Sequence, residues 1–214
     1  KLGQKVYRKP KDVELNSDVI TKGNYHHYML KEIYEQPEVF GYATSSFINY
    51  RKQCIEMLEG FKDFDQIERI ILVGCGTAFY ACAIAKYWIE KYVKVLVEID
   101  VASEFRYREN SFGKNDYAIF VSQSGETADT LAALRKAKGR VKQIISIVNV
   151  VESSIARESD FVLPIKAGPE IGVASTKAFT SQLAVLACLS IYFATKRGFL
   201  NFNENEKLIN TLTS

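Results

Sequence analysis

Three hydroxyls, a carboxamide and a glycine fall together at Ser122-Gln123-Ser124-Gly125-Glu126-Thr127. The apolar run before them, residues 117–121, reads as a buried strand, and residues 128–134 read as a helix. A strand-to-helix turn leaves the first N–H groups of the helix without partners and gives them partial positive charge. The oxygens of a phosphate match both properties. Capping is the simpler role, with Ser124 as N-cap and Thr127 three residues on, where Glu or Gln would complete a box. One Ser is enough for a cap worth about 1 kcal/mol, and the other hydroxyls would need further partners if buried. The turn is therefore read as a cradle for the phosphate of a small molecule. Glu126 should point away from that anion or meet a helix dipole from outside.

Gly74-Cys75-Gly76-Thr77-Ala78-Phe79 also follows an apolar run, and three readings of it stand. A dinucleotide turn would use the G-x-G, with Glu98 and Asp100 spaced like a ribose-binding acid, although Phe79 replaces the third glycine. A plain tight turn would need only Thr77 near the helix start. A phosphosugar turn would offer a ligand the Thr77 hydroxyl and backbone N–H. A third motif, Gly168-Pro169-Glu170-Ile171-Gly172-Val173-Ala174-Ser175-Thr176-Lys177, is a shaped loop before a long apolar stretch. Either Ser175 or Thr176 caps the helix that follows, or the loop backbone and Ser175 close on the ligand's carbons. Lys177 is expected to be solvated. Ser103 should cap a short helix, with Arg106 and Arg108 in structural ion pairs. His26 and His27 read as surface residues, and no Ser-His-Asp grouping is present.

These motifs need a scaffold. With 214 residues, 47% hydrophobic and 25% charged, the composition is that of an ordinary globular domain. The net charge of +3 comes from scattered basic residues, apart from those in the first eleven positions, which argues against a nucleic-acid partner. Cys54, Cys75, Cys82 and Cys188 form no C-x-x-C pair, so neither a zinc site nor a disulfide framework is expected. Reduced thiols in the cytoplasm fit better, and no metal or cofactor is expected. The N-terminus is charged and lacks the apolar core of a signal peptide. Residues 178–194 include Thr180, Ser181, Gln182 and Ser190, which favours a core helix over a membrane span. The chain opens on Lys1 and a polar stretch, as a piece of a larger protein would.

Along the chain, residues 1–22 read as a linker with a short extended patch at 4–8. A helix over 25–36 should end at Pro37, and a second should run from 39 to 58 and stop at Gly60. Strands are then expected at 69–73, 93–99, 117–121, 143–148 and 161–165. Helices should alternate with them at 77–92, 103–108, 127–138, 153–158 and 175–196, and a final short helix or linker should occupy 201–214. The expected fold is α/β: five parallel strands with helices on both faces, three layers in all, preceded by N-terminal helices. Ligands in such sheets bind at the carboxyl ends of the strands, where strand order reverses.

Cys75-Gly76-Thr77, the run from Ser122 to Leu131 and the run from Gly168 to Thr180 resemble, in this order, the sugar-isomerase (SIS) fold. Within it they are most similar to the glutamine–fructose-6-phosphate aminotransferase family. The segment from His27 to Pro37 resembles the stretch before that family's first SIS domain, and the resemblance covers about residues 24–198. It implies that Ser122, Gln123, Ser124 and Thr127 hold a sugar phosphate, while Thr77, Val173 and Ser175 contact the sugar's carbons and hydroxyls. Ala78 departs from the family, which carries Ser there, and removes one hydroxyl.

The resemblance further implies three segments: a linker at 1–22, an SIS domain at 23–198, and residues 199–214 leading toward a second SIS domain. The ligand would be fructose 6-phosphate or glucosamine 6-phosphate, and the assembly a homodimer with no nucleic-acid or membrane partner. In that family ammonia from glutamine attacks the ketose carbonyl, and the proton-moving carboxylate, Schiff-base lysine and ring-opening histidine lie outside the matching segment. The fragment is thus expected to bind phosphosugar without turning it over, with no catalytic residue of its own. A stand-alone phosphosugar-sensing module is the alternative.

Overall fold

A computed structural model gives the protein's structure over residues 20–57, 61 and 64–214. The extended patch at 4–8, Gly60 and nearly all of the expected linker lie outside the described residues. Helix α1 (Tyr28–Ser45) does not stop at Pro37 but runs through it. Proline cannot supply the N–H that the Ile33 carbonyl would receive, and Gln36 Nε2 donates to that carbonyl instead, at 3.1 Å. Of the second helix expected at 39–58, residues 39–45 are the end of α1, and a hairpin of β1 (Ile48–Asn49) and β2 (Cys54–Ile55) follows it. Asn49 Oδ1 accepts the N–H groups of Arg51 and Lys52. This side-chain-made turn has no Gly or Pro to announce it.

Five parallel strands follow: β3 (Arg69–Gly74), β4 (Leu96–Val101), β5 (Asp116–Ser122), β6 (Gln143–Val148) and β7 (Phe161–Pro164), in the order β4-β3-β5-β6-β7. Between them run α2 (Thr77–Tyr92), α3 (Ala102–Phe105), α4 (Ala128–Ala137) and α5 (Ser154–Glu158). Helices α6 (Lys177–Lys196) and α7 (Phe202–Thr213) close the chain. β4 starts later than expected because Val93 caps α2 and Lys94 turns the chain at φ 57°.

Side chains alternate across a strand, and here each face has its own core. Ile70, Leu72, Ile119, Val121, Ile145 and Ile147 pack with α1, α2, α6 and α7. Ile71, Val73, Ala118, Phe120, Ile144 and Val148 pack with α3, α4 and α5. Continuous apolar strands are what burial on both faces requires. By length and composition α6 could cross a bilayer, yet 78% of its apolar window is buried inside the fold, as expected of a core helix.

Candidate functional site

The strand order reverses between β3 and β5: from β3 the chain steps outward to β4, then returns to β5 on the other side. The two turns leaving these strands carry Thr77 and Ser122–Thr127, so the switch-point crevice lies between the two motifs. A cavity of about 240 Å³ occupies it. Thr77, Ser122, Gln123, Ser124, Thr127, Val173 and Ser175 all line it, and so do Ala78, Cys75, Glu170, Gly172 and Gln182.

The β5–α4 turn is built for this position. Ser122 is buried at the strand end, its Oγ 2.9 Å from Thr127 Oγ1, and it accepts the Gly125 N–H at 3.1 Å. Gly125 adopts φ 65°, and an added Cβ would lie 1.9 Å from Ser153 Oγ, so the turn requires glycine. The N-cap of α4 is Thr127 and not Ser124, and its side chain makes no cap bond. Ser124 Oγ accepts the Glu126 N–H instead, at 3.1 Å. The opening N–H groups of α4 are therefore left for another acceptor. Glu126 turns to the neighbouring helix, where its Oε1 accepts the Ser154 N–H at the start of α5, at 2.6 Å. That bond holds its carboxyl below the usual carboxylate range.

The second wall is the loop before α6. The cap expected of Ser175 or Thr176 is made by Glu170, whose Oε1 accepts the N–H groups of Thr176 and Ala178 at 2.9 and 3.2 Å. The helix starts at Lys177, two residues later than expected. Ser175 Oγ is left buried without a hydrogen-bond partner. Val173 stands at the rim of the cavity, fully exposed.

Helix α1 buttresses this loop. Glu32, 2% exposed, accepts the Ile171 N–H at 2.6 Å and the Gly172 N–H through both oxygens. Lys177 is not solvated: it is 2% exposed and pairs with Glu35 at 2.7 Å. Thr180 Oγ1 donates to Gln36 Oε1 at 2.5 Å. Sequence reasoning missed these partners because pairing across some 140 positions leaves no local pattern. It also missed Gln182 as a lining residue. The available signal was a carboxamide four residues after Ala178, on the buried stripe of the helix.

No Lys or Arg is among the described lining residues, and the carboxylate of Glu170 is engaged by the start of α6. An anion here would be held by hydroxyls, N–H groups and the helix dipole. The acids that a dinucleotide reading needs are occupied: Glu98 pairs with Arg69 at 2.9 Å and Arg108 at 2.7 Å, and Asp100 pairs with Arg108 at 2.8 Å. Arg106 pairs with Asp129 at 2.6 Å, so both arginines have the structural roles expected of them. His26 and His27 are exposed at the start of α1. Among the described residues no group of three His, Cys, Asp or Glu is placed to hold a metal.

The SIS domain model matches residues 63–192. The chain is 50% identical over 211 residues to the glutamine–fructose-6-phosphate aminotransferase (isomerizing) of Bradyrhizobium diazoefficiens, covering 98% of this chain and 35% of that protein. It is 49% identical over 210 residues to the same-named protein of Rhizobium leguminosarum, covering 98% and 34%. The chain thus spans about a third of the length of these curated relatives. Among solved structures, the C-terminal domain of glucosamine-fructose-6-phosphate aminotransferase from Francisella tularensis superposes with a TM-score of 0.85 at 44% identity, covering 90% of this chain and 54% of that one. Tagatose-6-phosphate ketose/aldose isomerase from Escherichia coli, at 18% identity and a TM-score of 0.62 over 80% of this chain and 48% of that one, shares the fold.

Proposed function

The chain belongs to the SIS domain family, and on that footing we propose that its switch-point pocket binds a hexose phosphate, fructose 6-phosphate or glucosamine 6-phosphate. Ser122, Gln123, Ser124, Thr127 and the opening N–H groups of α4 would hold the phosphate. Thr77, Val173 and Ser175 would meet the sugar. One observation carries this reading: the hydroxyl-rich turn, with uncapped helix N–H groups, shares one small cavity with Thr77 and Ser175. Ala78 offers no hydroxyl to that cavity.

The chain would be the phosphosugar-binding part of a glutamine–fructose-6-phosphate aminotransferase, which converts fructose 6-phosphate and glutamine into glucosamine 6-phosphate and glutamate. The name shared by relatives at half identity over nearly the whole chain supports this over a stand-alone phosphosugar sensor. Residues 1–22 would be linker, 23–198 the SIS unit, and 199–214 a linker or short helix toward a second SIS domain. The protein would work in the cytoplasm as a homodimer. The single carboxylate among the described lining residues is committed to capping α6, so this part alone would bind the sugar without aminating it.

Thermal denaturation tests the binding claim. Fructose 6-phosphate at 100 times its Kd should raise Tm by about 5–10 °C, while free fructose should leave it in place. A rise with NAD and none with phosphosugars would overturn the proposal.

A further inference from the structure

Gln182 is 1% exposed, sits in the second turn of α6 and lines the cavity. Its Oε1 is buried and has no hydrogen-bond partner. A buried amide oxygen without a partner is costly and needs an explanation. Apolar packing does not supply one, because Ala178, Val185 and Leu186 on the same stripe are ordinary core residues. Ser175 Oγ, on the same arm of the chain, is likewise buried and unpartnered. Two residues with unsatisfied buried oxygens thus line one cavity from the α6 side, opposite in chain origin to the β5–α4 turn.

We infer that Gln182 is a ligand-contacting residue that reads a hydroxyl on the sugar, not the phosphate. This rests on the hexose-phosphate reading of the pocket. A carboxamide carries both an acceptor and donors, and a hydroxyl is both donor and acceptor. A phosphate dianion offers only acceptors and would leave Oε1 unpaired. The anion's complement of hydroxyls and N–H groups is already present on the other wall. Gln182 therefore sets selectivity among phosphorylated ligands: those with a hydroxyl in its reach gain a hydrogen bond, and those without leave its amide buried and unpaired.

Calorimetric titration of the full chain with fructose 6-phosphate and with inorganic phosphate tests this. Gln182→Leu should weaken fructose 6-phosphate by about tenfold and leave inorganic phosphate unchanged. Gln182→Met, a flexible apolar replacement, should do the same and serves if the Leu variant folds poorly. Wild type that binds fructose 6-phosphate, with variants that bind it equally well, overturns the inference but not the pocket assignment. An equal loss for both ligands marks Gln182 as structural and also overturns it. Wild type that fails to bind fructose 6-phosphate overturns the hexose-phosphate reading, and the inference with it.

Discussion

Glu32 and Gly172 lie 140 positions apart, and the Glu32 carboxylate accepts the Gly172 N–H through both oxygens, at 3.0 and 3.2 Å. With the Ile171 N–H at 2.6 Å, a buried carboxylate fixes the backbone of a loop that has no regular structure of its own. Bonds from backbone N–H to an ionised acceptor are the strong kind. The pocket's second wall is thus mounted on α1, an element outside the sheet.

Glu32→Gln replaces one acceptor oxygen by an N–H₂ facing the loop's own N–H groups. It should destabilise the chain by about 1.5–3 kcal/mol, read from urea denaturation, and weaken hexose phosphate binding as well. Gly172→Ala should act in the same direction, because its Cβ would lie 2.5 Å from Glu32 Oε2. Unchanged denaturation midpoints in both variants would show that the loop does not depend on this mount.

Ser122 and Ser124 should separate structure from binding. Ser122→Ala leaves the buried Gly125 N–H without an acceptor and should cost about 1–3 kcal/mol of stability. Ser124 Oγ serves only the exposed Glu126 N–H, so Ser124→Ala should keep the fold and lose about tenfold in phosphosugar affinity. Equal phosphosugar affinity in Ser124→Ala would mean that Ser124 only braces the turn.

The four free thiols should divide by burial. Burial raises the Cys82 thiol and pushes Cys188 up to about 12. Both should resist a thiol reagent in the native protein, since the thiolate is the reactive form. Half-buried Cys75 lines the pocket and should react, and fructose 6-phosphate should slow it. Mass mapping of the labelled sites checks this, and Cys75 labelling that ignores saturating phosphosugar would place the ligand elsewhere.

Glu126 should leave a mark on acid stability. The Ser154 N–H holds its folded pKa below the unfolded one, so its contribution is present above the unfolded pKa and fades as pH falls through the folded value. Glu126→Gln should therefore be less stable than wild type at neutral pH, with the gap closing in acid. A gap that stays constant from neutral pH into acid would contradict the assignment.

How much of this was legible in the sequence depended on distance along the chain. The strands of the sheet and the helix Thr77–Tyr92 followed from apolar runs and local periodicity. Ser122–Thr127 could be placed because its strand and helix adjoin it directly. Pro37 misled, because a neighbouring Gln36 side chain supplies the donor that proline lacks. The hairpin after α1 was hidden because Asn49 makes its turn without Gly or Pro. Lys177 read as solvated because its partner Glu35 lies on α1, and Gln182 counted only as one of four polar residues that mark α6 as a core helix.

The central claim is that the Ser122–Thr127 turn holds the phosphate of a hexose phosphate. Isothermal titration of wild type and Ser124→Ala with fructose 6-phosphate, and of wild type with unphosphorylated fructose, tests it most directly. The account predicts saturable one-site binding of the phosphosugar, about tenfold weaker in the variant, and no detectable heat with fructose. Binding of fructose as tight as that of its phosphate, or phosphosugar affinity indifferent to Ser124, would contradict it.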